Sequence, residues 1–435
     1  MKPIRSMTTF ALVLLSVAAC NRGAAVPASP PRFTLDRACS VAIAADARRD
    51  SEISKLQRDL SERRASARAA EQLGYRFIAL ARLSNDPGYY TMAEQAAACV
   101  ASIAPGEPAA LLLRGHALHQ MHRFGEAEAI ARQLVKTREF VLDFGLLGDS
   151  LMEQGKVAEA AEAYQKMIDL KPFYQSYTRA SHLRWLTGDL SGAIRMMHRA
   201  VESASPRDRE AVAWAYSRLA IYELQRGRLT EALRMTDASL QYVPDYAAAL
   251  LARGRIQLAQ NQNASAVESL KHAATLNPLP EYQWAFADAL RLVNRTGEAA
   301  SIEQQLVRDG VSEDPRTVAL YLSTRREEAD KAMDLAKREL ERRSDVFTLD
   351  ALAWSLVRAG EVREASTLID RALAEGTDDG RLFLHAAVIA AADGRPRDAA
   401  RWERKARRHR FTLLPSELGV LRTGIVLPPL HEVSR

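Results

Sequence analysis

The sequence lacks most of what would build anything other than a helical protein. Only 6% of its 435 residues are aromatic, and Ile, Val and Thr rarely alternate with polar residues, which argues against a sheet protein. Three cysteines do not form a metal-spaced group. No HExxH occurs: the His431-Glu432 pair is followed by Val-Ser-Arg. GxSxG and a phosphate-cradling Gly loop are also missing, so the chain carries none of these enzyme signatures and is read as a non-enzyme without metal or cofactor. The apolar run from Phe10 to Ala19 is too short to cross the ~30 Å hydrocarbon core of a bilayer. With 60 basic and 54 acidic residues interspersed along the chain, and no combined basic and aromatic surface, a nucleic-acid partner is not indicated. What is abundant is Ala, Leu and Arg within a 47% hydrophobic composition, which favours an all-α protein.

The start, MKPIRSMTTFALVLLSVAAC, has a short basic segment, an apolar run and small residues before Cys20, the order of a secretory signal. Val17, Ala18 and Ala19 before Cys20 resemble the bacterial lipobox, which implies a lipoprotein signal peptide over 1–19 and a lipidated N-terminus at Cys20. The alternatives are an ordinary secreted protein with an incidental Cys, or cleavage further on after the Val26, Pro27, Ala28 stretch. Residues 20–43, which continue NRGAAVPASPPR after Cys20, read as a flexible tether. Asn21, where an Asp would retain such lipoproteins in the inner membrane, implies the periplasmic face of the outer membrane.

Downstream, one pattern recurs. Ala93, Ala127, Ala160, Ala193, Ala232, Ala266, Ala299, Ala332, Ala365 and Ala399 are spaced 34, 33, 33, 39, 34, 33, 33, 33 and 34 residues apart. The clearest copy is FGLLGDSLMEQGKVAEAAEAYQKMIDLKP, with Gly148, Ala160, Tyr164 and Pro172 at its key positions. This period resembles the tetratricopeptide repeat. The resemblance implies an α-solenoid, a right-handed superhelix of about ten helix-turn-helix repeats over 74–411. Small residues such as Gly115, Gly148 and Gly254 let the helices approach. Five residues before the anchor Ala, Gly155, Gly188, Gly227, Asn261, Asn294, Gly360 and Gly394 suit a left-handed helix C-terminus. Pro105, Pro172, Pro244 and Pro278 end second helices.

Three departures stand out. The Ala332 repeat lacks its Gly and Pro, and its first helix, VALYLSTRREE, is short. SASPRDR takes up the 39-residue step as a loop between repeats. Residues 44–73 read as a capping helix, with Ile53, Leu56 and Leu60 on one face. Arg401, Arg404, Lys405, Arg407, Arg408 and Arg410 make the last helix strongly basic, either as a solvated face or as a contact for anionic lipid. Residues 412–435 form a tail that lies along the last repeat or is partly disordered.

His116, His119 and His122 raise the question of a metal site, but the register separates them. His122 falls in the turn slot, whereas His116 and His119 lie on a first helix, on the side that in the resembled family lines the concave groove. The favoured reading is therefore polar groove lining rather than metal. Corresponding positions hold Asp149, Met152, His182, Trp185, Arg255, Asp288, Arg291, Trp354 and Arg358, a set suited to gripping an extended peptide or helix, unless Trp185 and Trp354 are core residues. The paired Lys and Asn with which well-known members clamp a terminal carboxylate are missing. Cys39 and Cys99 invite a disulfide in an oxidising compartment, or are small buried hydrophobes. Together these features lead to a lipid-anchored cell-envelope scaffold that binds envelope proteins or peptides through its groove. A component of a polysaccharide-export or pilus-assembly machine is the alternative.

Overall fold

The computed structural model describes residues 37–44, 51–62, 66–84 and 86–423, and over these the chain is helical, with no strand. Ten helix pairs, from Ala67–Ser84 with Gly88–Ile103 to Gly380–Ala392 with Pro396–Arg408, stack into a right-handed α-solenoid. All the anchor alanines lie on second helices and are fully buried, apart from Ala399 at 7% exposure. The small residue on the first helix has a steric reason: a Cβ on Gly148 would lie 2.3 Å from the ring of Tyr164 on its partner helix, which already fills that space.

The turns follow the expected chemistry. Gly155, Gly188, Gly227, Gly360 and Gly394 have φ of 70° to 92°, and Asn261, Asn294 and His122 sit at 59° to 61°. The Ala332 repeat, without its Gly, forms nonetheless. Its first helix, Pro315–Arg325, is 11 residues long, and its turn places Arg326 and Glu328 in the left-handed region at φ 60° and 41°. In the 39-residue step, part of the extra length goes into a longer first helix, Arg209–Gln225 of 17 residues, and the rest into the loop at 204–208.

The superhelix winds until successive turns touch. The Ser344 backbone N–H donates to the Glu153 carbonyl at 3.2 Å and its hydroxyl to the Gln154 carbonyl at 2.8 Å. One repeat further on, the Thr377 hydroxyl donates to the Leu186 carbonyl at 2.6 Å and Gln225 donates to the Asp378 carbonyl. The loops entering the last two repeats thus close on the first-helix ends of the third, fourth and fifth.

Three boundaries differ from the sequence reading. The tether cannot extend to residue 43, because Arg37–Ala44 is a helix packed on Gly88–Ile103 and bound to it by a Cys39–Cys99 disulfide, with both cysteines fully buried. The cap is the helix Ser51–Glu62, whose Ile53, Leu56 and Leu60 are buried as their spacing requires, and 67–73 belong to the first repeat. The tail folds back over the concave side: Pro415–Arg422 forms a helix that keeps contact with the last repeat and also packs against Pro280–Leu292 and Pro315–Arg325. Cys20 and the signal region lie outside the described residues, and no described helix is long and apolar enough to cross a membrane.

Candidate protein-binding groove

First helices line the concave face, and its N-terminal part carries a polar row. Arg179 Nε donates to Asp149 Oδ1 at 2.8 Å, and the Tyr164 hydroxyl donates to the same oxygen at 2.9 Å. Burial works to raise the Asp149 pKa, but the facing guanidinium outweighs it and holds the carboxylate below its usual range. His116 lies one first helix before Asp149, and His182 lies three residues beyond Arg179 on the same helix. Burial, reinforced by Arg179, pushes His116 down to about 3, and burial with Arg218 pushes His182 down to about 4. Both imidazoles are therefore neutral at physiological pH, and the row offers hydrogen-bonding groups rather than a switchable charge.

The three opening histidines diverge. His116 meets Tyr75 edge-on at 6.1 Å, His119 meets Phe124 edge-on at 5.2 Å, and His122, at φ 59°, stacks on the same Phe124 ring at 5.5 Å. Among the described residues, no three His, Cys, Asp or Glu side chains form a set that could hold a metal ion.

Several expected groove residues are not on an open surface. Met152 is core, packed in the continuous hydrophobic cluster. Trp185 is wedged between superhelical turns: its ring stacks on Phe347 at 5.6 Å and its indole N–H donates to Gln225 at 2.8 Å. Trp354 is fully buried, donates to Thr324 at 3.1 Å, and lies in a stack with His385 at 4.1 Å and the Arg358 guanidinium at 4.0 Å. Arg358 is 8% exposed, and none of its nitrogens has a hydrogen-bond partner among the described residues. Burial, with Arg326 nearby, pushes it down to about 9. Arg291 is held by Glu303, its Nε donating at 2.8 Å.

The remaining two, Arg255 and Asp288, are in the groove and already engaged by the chain's own C-terminal segment. Arg255 donates to the Thr412 carbonyl at 2.7 Å. Asp288 accepts from the Ser416 backbone N–H at 2.8 Å and from its hydroxyl at 2.7 Å, while the Trp284 indole donates to that hydroxyl at 3.0 Å. Arg381 forms an ion pair with the fully buried Glu417, whose other oxygen accepts from the Leu414 N–H at 2.7 Å. Burial acts to raise the Glu417 pKa, but Arg381 outweighs it. Asp288, with no cation in contact, is pushed up to about 6 by burial.

Residues missed by sequence reasoning include Arg179, Trp284, Arg381 and Glu417. The acid after the small residue at Gly148 and the Arg two before the small residue at Ser181 were a readable cross-repeat pair. The tail contacts had no local signal.

The family model for the tetratricopeptide repeat matches residues 112–174, 217–279 and 351–411. No curated protein matches the chain in sequence. Among solved structures, a monomeric mutant of IFIT1 with m7Gppp-AAAA is similar at 14% identity and TM-score 0.48, covering 74% of this chain and 75% of that one. The crystal structure of MamA is similar at 19% identity and TM-score 0.32, covering 38% of this chain and 94% of that one. Repeats of this kind serve as protein-interaction scaffolds and are typically non-catalytic. The chain thus carries tetratricopeptide repeats over these three regions, separated by further helix pairs of the same register.

Proposed function

We propose that this protein is a lipid-anchored, non-catalytic scaffold of the bacterial cell envelope, held by Cys20 at the periplasmic face of the outer membrane and binding envelope proteins or peptides through its concave groove. The observation that carries the binding role is the polar row of His116, Asp149, Arg179 and His182 on three successive first helices, only partly buried and not covered by the C-terminal segment. The Cys39–Cys99 disulfide supports an exported location, since such bonds persist in oxidising compartments. The order of the first twenty residues supports the anchor. Two measurements test the reading. Cys20→Ala should leave the protein unprocessed or soluble; maturation with continued fractionation in outer membranes would sink the anchor. A photo-crosslinker at His182 should capture a discrete envelope protein in cells, and capture of none would remove the scaffold role.

A further inference from the structure

The groove formed by Ala247–Ala259, Pro280–Leu292, Pro315–Arg325 and Gly380–Ala392 has a resident, and the way it is held describes a ligand. Residues 409–423 cross this face. Leu413, Leu414 and Leu421 are buried, Pro415 opens a short helix, Ser416 bonds to Asp288 and Trp284, and Glu417 pairs with Arg381. A Ser and a Glu within the first turn of a helix are favoured there by the free N–H groups and by the helix dipole. Asp288 and Arg381 thus read a helix start, while the leucines fill the apolar floor.

The resident fits incompletely. The helix Pro415–Arg422 is eight residues long and is flanked by two clefts. One, of about 580 Å³, lies between Thr324, Arg325, Arg326 and the Gly419 side of the helix. The other, of about 710 Å³, is lined by Leu258, Leu292, Phe411 and Leu418, and Leu292 remains 44% exposed there. A Cβ on Gly419 would meet nothing within 4 Å. A ligand with larger side chains at these places would bury surface that the tail leaves in water.

We propose that this half of the groove is a binding site for a short amphipathic helix of a partner protein that begins with an apolar-Pro-Ser-Glu sequence, and that residues 409–423 occupy it until such a partner displaces them. The inference rests on the groove being protein-binding, as argued above. The resident segment is held by its buried leucines, the Arg381–Glu417 pair and Ser416, so a competitor that reproduces these and also fills the clefts has the advantage.

The probe is a fluorescent peptide of residues 409–423, HRFTLLPSELGVLRT, added to the full chain. Glu417→Arg should repel Arg381 and release the tail, so this variant should bind the peptide at least ten-fold more tightly than the unaltered chain, with faster amide exchange over 409–423. Combining Arg381→Glu with Glu417→Arg should restore slow exchange and weak peptide binding. Should Glu417→Arg fail to fold, Ser416→Ala with Leu421→Ala releases the tail without burying a charge. Equal peptide affinity for the unaltered and released chains, or no binding to a released chain of full helicity, would overturn the proposal. Peptide binding without any crosslinked envelope partner supports this site and removes only the scaffold reading. A crosslinked partner whose yield is unchanged by Glu417→Arg, with no peptide binding, removes this site alone.

Discussion

The two halves of the concave face start from the same repeat and reach opposite states. In the N-terminal half, polar groups pair across adjacent repeats, as Asp149 does with Arg179, and the imidazoles beside them stay neutral and partly accessible. In the C-terminal half, groove side chains pair with the segment after the last repeat instead: Asp288, at the position that Asp149 holds in its own repeat, with Ser416, and Arg381 with Glu417. A groove residue satisfied by its neighbour leaves the face free for a partner. One satisfied by the tail makes the face conditional on the tail's departure. The repeat therefore sets where a side chain points, and the sequence after the last repeat sets whether that position is available.

The strongest way to break the comparison is to remove the cation under the tail. Arg381→Met leaves Glu417 buried without its partner and should lower unfolding stability by about 3–5 kcal/mol in denaturant melts. A loss confined to about 1 kcal/mol would mean that the tail contributes little. The second test is pH. Asp288 is raised from 3.8 to about 6, so the stabilisation from its neutral form is complete below about 3.8 and disappears as pH rises through about 6. Two pKa units correspond to on the order of 3 kcal/mol. The two hydrogen bonds from Ser416, and more weakly Arg325, oppose the upward shift, and Glu417 adds to it. Stability should fall between about pH 4 and 6 as this group ionises, and Asp288→Asn should flatten that slope. An unchanged slope would assign it to other groups.

A smaller change applies to the other half. Gly148→Leu drives a side chain into Tyr164 and should cost about 1–3 kcal/mol by overpacking, with the loss spreading to neighbouring repeats because each helps to bury the next. The smallest effect on stability, and the most specific, is expected for His116→Ala with His119→Ala. Melting should change by no more than about 0.5 kcal/mol, while partner capture falls. If capture is unaffected, the open half is not the contact surface. If the purified protein retains zinc through dialysis and loses it with this double change, the divergent histidine geometry is wrong.

Much of the fold was legible because a helical repeat is written locally. Anchor alanines, left-handed turn residues and the cap face of Ile53, Leu56 and Leu60 each report a contact within one helix or between adjacent ones. Even His122 could be placed, since only a left-handed turn explains an imidazole where Gly or Asn otherwise stands. The Ala332 repeat shows how far this goes: with neither Gly nor Pro, it still formed, because the helices on both sides require a pair between them. What the sequence by itself determined is therefore the period, the helix pairs and the inward direction of the groove positions.

Only the tertiary structure decided which of those positions are open. Rotation accumulates from repeat to repeat until residues 190 apart in sequence meet, as Ser344 meets Gln154, and this closes over Trp185. The tail returns 128 residues to reach Asp288 from Ser416. Such contacts depend on the summed geometry of many small inter-repeat angles, and no short stretch of residues records that sum.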